Sequence, residues 1–212
     1  MAARTSVGET DMTIGRLGAA AAAVAAIGFG ATAAMAKDPL TSAAADVAKY
    51  AFLEGSRWIV PPATLPAILY EPEDGTVRDI VDQTVWDITG YRDGYFWGRT
   101  VARLSDAATG EPLGGFSCLD MVGSVTPGGR VHITFVDPER TTVLTAIRGT
   151  GLLVRGRGNR WQFEEMQMSS GFTSLVVHWS YMVECRPGDA CEAELPGTTS
   201  SLAEFLAACD EE

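Results

Sequence analysis

The spacing of hydrophobic residues changes from helical to strand-like part-way along the chain. Residues 40–55 carry apolar side chains at helical spacing, among them Val47 and Tyr50, which predicts a short helix. Pro61 and Pro62 follow, and proline favours an extended segment because it fixes φ and removes a backbone donor. A helix and a proline-rich extended segment are therefore expected over residues 37–75.

From residue 76 onward, apolar and polar residues alternate in runs that turn sequences separate. Asp93-Gly94 and the Pro-Gly-Gly sequence at 127–129 are typical of β-hairpin turns. The predicted strands span residues 76–89, 95–104, 115–126, 130–136, 142–154, 160–169 and 173–185. An eighth strand is added if the segment around Trp58 also pairs.

Consecutive strands joined by hairpins must protect their edges, and closing the sheet removes the edges altogether. The pattern therefore predicts an all-β fold, an antiparallel up-and-down β-barrel of about eight strands with a short N-terminal helix and a C-terminal helix. Such a barrel either fills its interior with side chains or holds one small ligand. An open sandwich is the alternative. The C-terminal helix is expected at 200–208, with Ser200 or Ser201 as its cap and Glu204 in its first turn.

The N-terminus has the features of an export signal. Arg16 precedes the apolar run 17–34, and the small-x-small sequence at 34–36 is typical of a cleavage site. We predict a signal peptide over residues 1–36, with Met12 as an alternative start. An uncleaved anchor is the other interpretation, but a run so rich in alanine is a poor bilayer span. The sequence thus predicts a periplasmic or secreted protein without a stable membrane span in the mature chain.

Export permits disulfides, and all four cysteines follow the predicted leader. Cys185 and Cys191 flank a turn sequence and could pair with each other, in which case Cys118 and Cys209 would tie the C-terminal helix to the barrel wall. Four cysteines allow three connectivities, and the sequence does not choose among them. The barrel core is assigned to 76–185, and the disulfide loop with the C-terminal helix to 186–212.

Charge and motifs exclude several functions. The chain has 16 Lys and Arg against 27 Asp and Glu, a net charge of −11, which disfavours nucleic acid and anionic membrane surfaces as partners. It contains no P-loop, no G-x-G-x-x-G and no H-E-x-x-H sequence, and its cysteines and two histidines lack the spacing of a zinc site. No cofactor and no metal are predicted, and an oligomer is left open.

Several predicted strands mix large aromatic residues with ionisable ones. Such a mixture is typical of a ligand pocket, which is apolar with a few placed polar groups, although partly exposed surface aromatics give the same pattern. The candidate ligand-binding residues are Trp58, Tyr70, Trp86, Tyr95, Trp97, Met121, Phe163, Met166, Met168 and Trp179.

Four residues are candidates for catalysis. His178 suits acid–base chemistry near neutral pH, and Arg99 suits bidentate binding of a carboxylate. Glu165 is preferred to Glu164 because strand alternation places it on the same face as Trp161 and Phe163. Tyr181 is a candidate phenol donor.

Gly55-Ser56-Arg57-Trp58, before the first extended segment, resembles the Gly-x-Trp opening of the lipocalins and the wider calycin superfamily, with one additional residue before the tryptophan. The series of hairpins followed by a helix is similar too, over residues 55–208. The resemblance implies a small eight-stranded barrel with a central pocket, a scaffold that carriers and cofactor-free lyases and isomerases share.

Three functions follow as hypotheses. Ionisable residues among aromatics favour a cofactor-independent lyase, isomerase or cyclase acting on a small aromatic or apolar substrate, with Arg99 orienting it and His178, Glu165 or a tyrosine moving the proton. The alternative is a carrier that binds a small hydrophobic ligand without chemistry. The third is a structural protein whose barrel is filled.

Overall fold

The chain forms a closed antiparallel β-barrel in this computed structural model, which describes residues 44–138, 147–170 and 174–210. The strands in these ranges are β1 (Ser56–Ile59), β2 (Pro66–Glu71), β3 (Thr76–Arg92), β4 (Tyr95–Asp106), β5 (Ser117–Val125), β6 (Arg130–Val136), β7 (Ile147–Arg155), β8 (Trp161–Ser170) and β9 (Leu175–Glu184). Strands β3 to β9 pair in sequence, and β1 and β2 share one place between β9 and β3. The barrel therefore has eight strand positions, as the pattern predicts.

Turn chemistry accounts for the hairpins. Asp93 and Gly94 join β3 to β4 with φ of 52° and 89°, the left-handed conformation that this two-residue turn requires. Within the proline-rich segment, β1 and β2 both pair in the wall, and the 3-10 turn Pro62–Thr64 separates them. The barrel wall thus begins at Ser56. The leader assigned to 1–36 lies outside the described residues.

A helical segment at 44–53 covers the end of the barrel where β3 turns into β4, which we call the packed end. Tyr91 Oη donates to the Val47 carbonyl at 2.6 Å, and Lys49 Nζ donates to the Pro127 carbonyl at 2.8 Å. Val47, Tyr50 and Leu53 of this segment are buried in the cluster that fills the barrel interior. The predicted N-terminal helix therefore closes one end of the barrel.

Aromatic side chains fill the half of the interior next to the packed end. The Phe163 ring lies 4.5 Å from the Trp58 ring, 5.1 Å from Trp86 and 6.5 Å from Phe96, centroid to centroid, and all four side chains are fully buried. Edge-to-face pairs of this kind add about 0.5–1.5 kcal/mol each beyond their buried area. Phe96 also needs Gly123, since a Cβ there would lie 2.3 Å from the Phe96 ring.

The C-terminal helix, Leu202–Ala207, covers part of the outer barrel face. Ser201 and Glu204 form a capping box at its start, which satisfies two backbone donors. Phe205 is fully buried in a cluster with Val85 and Val101, which project outward from β3 and β4. This cover explains why the outer face of these strands is apolar.

Two disulfides hold the C-terminal region. Cys118 of β5 is bonded to Cys209, just after the C-terminal helix, and Cys185 is bonded to Cys191 across a short loop that leads into the helix Ala190–Ala193. Both pairings are ones that the sequence allowed. Such bonds indicate a non-reducing environment. Among the described residues, no helix has the length and apolar character needed to cross a bilayer.

Candidate functional site

A cavity of about 120 Å³ lies inside the barrel at the end opposite the packed end, where β4 ends and β5 begins; we call this the pocket end. Its apolar lining consists of Ala102, Leu104, Leu119, Phe135, Met168 and Val176. Asp82, Thr84, Thr100, Ser117 and His178 contribute the polar part. An apolar cavity of about 150 Å³ is enough to bind benzene, so the volume here is a little smaller than that of a site for one aromatic ring.

His178 and Asp82 form a buried pair in the cavity wall. His178 Nδ1 lies 2.9 Å from Asp82 Oδ2, and this contact joins β9 to β3. His178 Nε2 lies 2.6 Å from the carbonyl oxygen of Thr64. The other carboxylate oxygen of Asp82 accepts a hydrogen bond from Thr84 Oγ1 at 2.8 Å. Each ring nitrogen of His178 thus faces an oxygen acceptor.

This environment changes the acid–base behaviour of His178. Burial alone lowers the pKa of the imidazole, but the hydrogen bond and negative charge of Asp82, together with the Thr64 carbonyl, outweigh it, and the net effect raises the pKa above 6.5. The protonated ring donates from both nitrogens, so neither nitrogen is free to accept a proton from a ligand. The contacts of His178 with Asp82 and Thr64 therefore stabilise the barrel wall.

The same contacts close the gap between β1 and β2. Thr64 lies in the turn between these strands, where the ladder of backbone hydrogen bonds is interrupted. On the outer side of the gap, the buried amide of Gln83 accepts from Val60 N at 3.1 Å and donates to the carbonyls of Val60 and Pro196 at 3.1 Å and 2.8 Å. Side chains thus replace a strand partner on both sides of the wall.

The other catalytic candidates do not join His178. Arg99 projects from the outer face of β4, where its guanidinium lies 3.7 Å from Asp87 and 2.6 Å from Asp210. Tyr181 is 38% exposed and alternates with the inward residues of β9. The expectation that these residues converge with His178 in one pocket is therefore wrong, because strand alternation directs them outward.

A β-bulge places Glu165 outside as well. The register between β8 and β9 shifts between Phe163 and Met166, and Glu165 has a φ of 52°. The bulge inserts one residue into the alternation, so Met166 and Met168 return to the interior face with Phe163 while Glu165 is exposed. Uninterrupted alternation, which pairs Glu165 with Phe163, fails at this point.

The candidate ligand-binding residues fall into three groups. Met168 lines the cavity. The next group is buried in the packed half of the barrel: Trp58, Trp86, Met121, Phe163 and Met166. The last group is exposed on the outer face, outside the pocket to which the sequence assigned it: Tyr70, Tyr95, Trp97 and Trp179.

Four polar cavity residues are missing from the sequence-based set: Asp82, Thr84, Thr100 and Ser117. The signal for two of them lies in β3, where the inward positions from Ile80 to Ile88 are apolar except at Asp82 and Thr84. Asp82 and Thr84 can be recognised as cavity residues only once the inner face of β3 is known. Outward residues such as Val85 are apolar too, because they pack under the C-terminal helix.

Comparison with protein-family models, with curated proteins and with solved structures finds no significant match to this chain. The site is therefore interpreted from its own geometry. Within the described ranges, His, Cys, Asp and Glu side chains form no group of three or more that could hold a metal ion.

Proposed function

We propose that this protein is an exported carrier that binds a small aromatic or apolar molecule in the cavity at the pocket end. The observation that carries the proposal is the uneven filling of the barrel. One half is packed with aromatic side chains, whereas the other keeps a cavity with a mostly apolar lining. Cavities of this composition are typical of small-molecule sites.

Binding without chemistry is favoured over a lyase or isomerase. Arg99 and Tyr181 project from the outer face, Glu165 is exposed at the bulge, and both nitrogens of His178 are engaged. The cavity thus lacks a free general base among the candidates that the sequence offered. The disulfides and the closed barrel support a periplasmic or secreted location and a kinship with the lipocalins, and both are part of the proposal.

Titration with 4-ethylphenol tests the proposal. We expect saturable binding in calorimetry and a higher melting temperature, because a ligand that binds only the folded state stabilises it. Ala102→Phe should abolish both effects by filling the cavity. Thr150→Phe adds the same ring on an exposed position of β7 and should leave binding intact. Recovery of 4-ethylphenol unchanged is expected of a carrier, whereas turnover, or equal binding to Ala102→Phe, would contradict the proposal.

A further inference from the structure

Two buried polar side-chain atoms lack a hydrogen-bond partner within the described part of the chain, and the residues that carry them are paired across two strands. Thr100 Oγ1 and Trp86 Nε1 are these atoms, and Thr100 and Trp86 face each other across the β3–β4 ladder. Thr100 is only 4% exposed, and it lines the cavity. Because the great majority of buried polar groups in proteins are paired, an unpaired hydroxyl on a residue that lines a cavity points to a partner that enters from outside.

The position of Trp86 fits the same interpretation. Trp86 is the next inward residue of β3 after Thr84, which lines the cavity, so the indole lies on the packed-end side of the cavity. An indole N–H only donates, and a threonine hydroxyl can donate or accept. A hydrogen-bond acceptor on the ligand is a group that the Thr100 hydroxyl can pair with.

The charges around the cavity decide which acceptor fits. Asp82 contributes a carboxylate to the lining, and His178 already compensates it. The whole chain carries a net charge of −11. The described residues of the lining include no lysine or arginine that could compensate a buried anion, and burying an unpaired charge is costly. A neutral oxygen avoids that cost.

We propose that the ligand is a small apolar molecule with one neutral oxygen, an alcohol, phenol or ketone, and that this oxygen hydrogen-bonds to Thr100 Oγ1. The inference rests on the proposed binding function and adds the chemical class of the ligand and the residue that selects it.

The test compares 4-ethylphenol with ethylbenzene, which has the same shape without the oxygen. The wild-type protein should bind both, and Thr100→Val should weaken 4-ethylphenol about tenfold relative to ethylbenzene, the loss expected for one hydrogen bond. The same variant should raise the melting temperature of the ligand-free protein, because it replaces an unpaired buried hydroxyl with a methyl group. Thr100→Ser keeps the hydroxyl and should retain the wild-type affinity ratio.

Thr150→Val is the matched control, because it makes the same substitution at an exposed position of β7 outside the cavity. It should leave the ratio of the two affinities unchanged. An unchanged ratio in Thr100→Val, or in the wild type a strong preference for ethylbenzene, would overturn the inference while the binding function stands. Failure of the wild type to bind either probe would instead overturn the binding function itself.

Discussion

His178 is the residue on which the barrel wall depends most directly at the gap between β1 and β2. Its ring links β9 to β3 through Asp82 and to the turn between β1 and β2 through Thr64. Removing one partner of a buried ion pair typically costs about 3–5 kcal/mol, because the other charge is left uncompensated. The contacts of the His178 side chain therefore replace backbone hydrogen bonds that are missing from the wall between β1 and β2.

Protonation of His178 makes the stability depend on pH. Its pKa is raised in the folded state, so the stabilisation is complete below the unfolded value of about 6.5 and is lost as pH rises through the folded pKa. We expect the free energy of unfolding in urea to fall as pH rises from below about 6.5 through the raised folded pKa, by about 1.4 kcal/mol for each unit by which the pKa is raised.

His178→Gln should be less stable at the lower pH and lose this dependence. The chain's other histidine, His132, is exposed on β6, so His132→Gln is the matched control and should behave like the wild type. A slope in His178→Gln equal to that of the wild type would show that other groups cause the dependence.

At the scale of elements, the bulge in β8 decides which residues reach the interior. Glu165 adopts a positive φ that non-glycine residues rarely accept, and its side chain is exposed. The left-handed conformation costs about 1–2 kcal/mol for an ordinary residue, and asparagine tolerates it better than most. After the bulge, Met166 and Met168 pack inside the barrel. We expect this packing to offset the cost of the irregular backbone at Glu165.

Substitutions of Glu165 should show the cost of its positive φ in the free energy of unfolding. We expect Glu165→Val to be less stable than Glu165→Asn by about 1–2 kcal/mol in urea unfolding, because a β-branched side chain fits the left-handed region poorly. Gln167, exposed on the same strand with regular pairing, supplies the control, and Gln167→Val should be neutral or slightly stabilising. Equal stabilities of the two Glu165 variants would argue against a strained bulge.

The positions of the strands and turns were more predictable from the sequence than the side of the sheet to which each side chain projects. Asp93-Gly94 has turn chemistry that is local in sequence, so the hairpin it forms could be placed from sequence alone. The direction of Glu165 could not, because a bulge is set by the packing of Met166. Nor could the buried pair be found, since His178 and Asp82 are 96 residues apart and lie on β9 and β3, between which β1 and β2 are placed. Thr100 was missed because the sequence does not show that its buried hydroxyl lacks a hydrogen-bond partner.

At the scale of the whole molecule, the two disulfides close loops of very different length. Cys118 and Cys209 are 91 residues apart, whereas Cys185 and Cys191 are 6 apart. A cross-link restricts the unfolded chain more when the loop it closes is longer. The long-range bond also fastens the C-terminal helix against the outer face that it covers.

We expect the paired change Cys118→Ala and Cys209→Ala to lower the free energy of unfolding by about 4–5 kcal/mol, and Cys185→Ala with Cys191→Ala to lower it by about 2 kcal/mol. Urea unfolding under non-reducing conditions measures both, each pair serving as the control for the other. The opposite order would mean that native packing around the short loop outweighs the chain-entropy effect.

The uneven filling of the barrel also has an evolutionary consequence. In the packed half, a change of one methyl group opens a void or forces an overlap, so Phe163 and its neighbours are constrained together. Around the cavity, side chains such as Ala102 and Val176 border empty space and can change in size with little effect on folding. Under the proposed binding function, selection for a new ligand can therefore act on one end of this barrel while the other end preserves the fold.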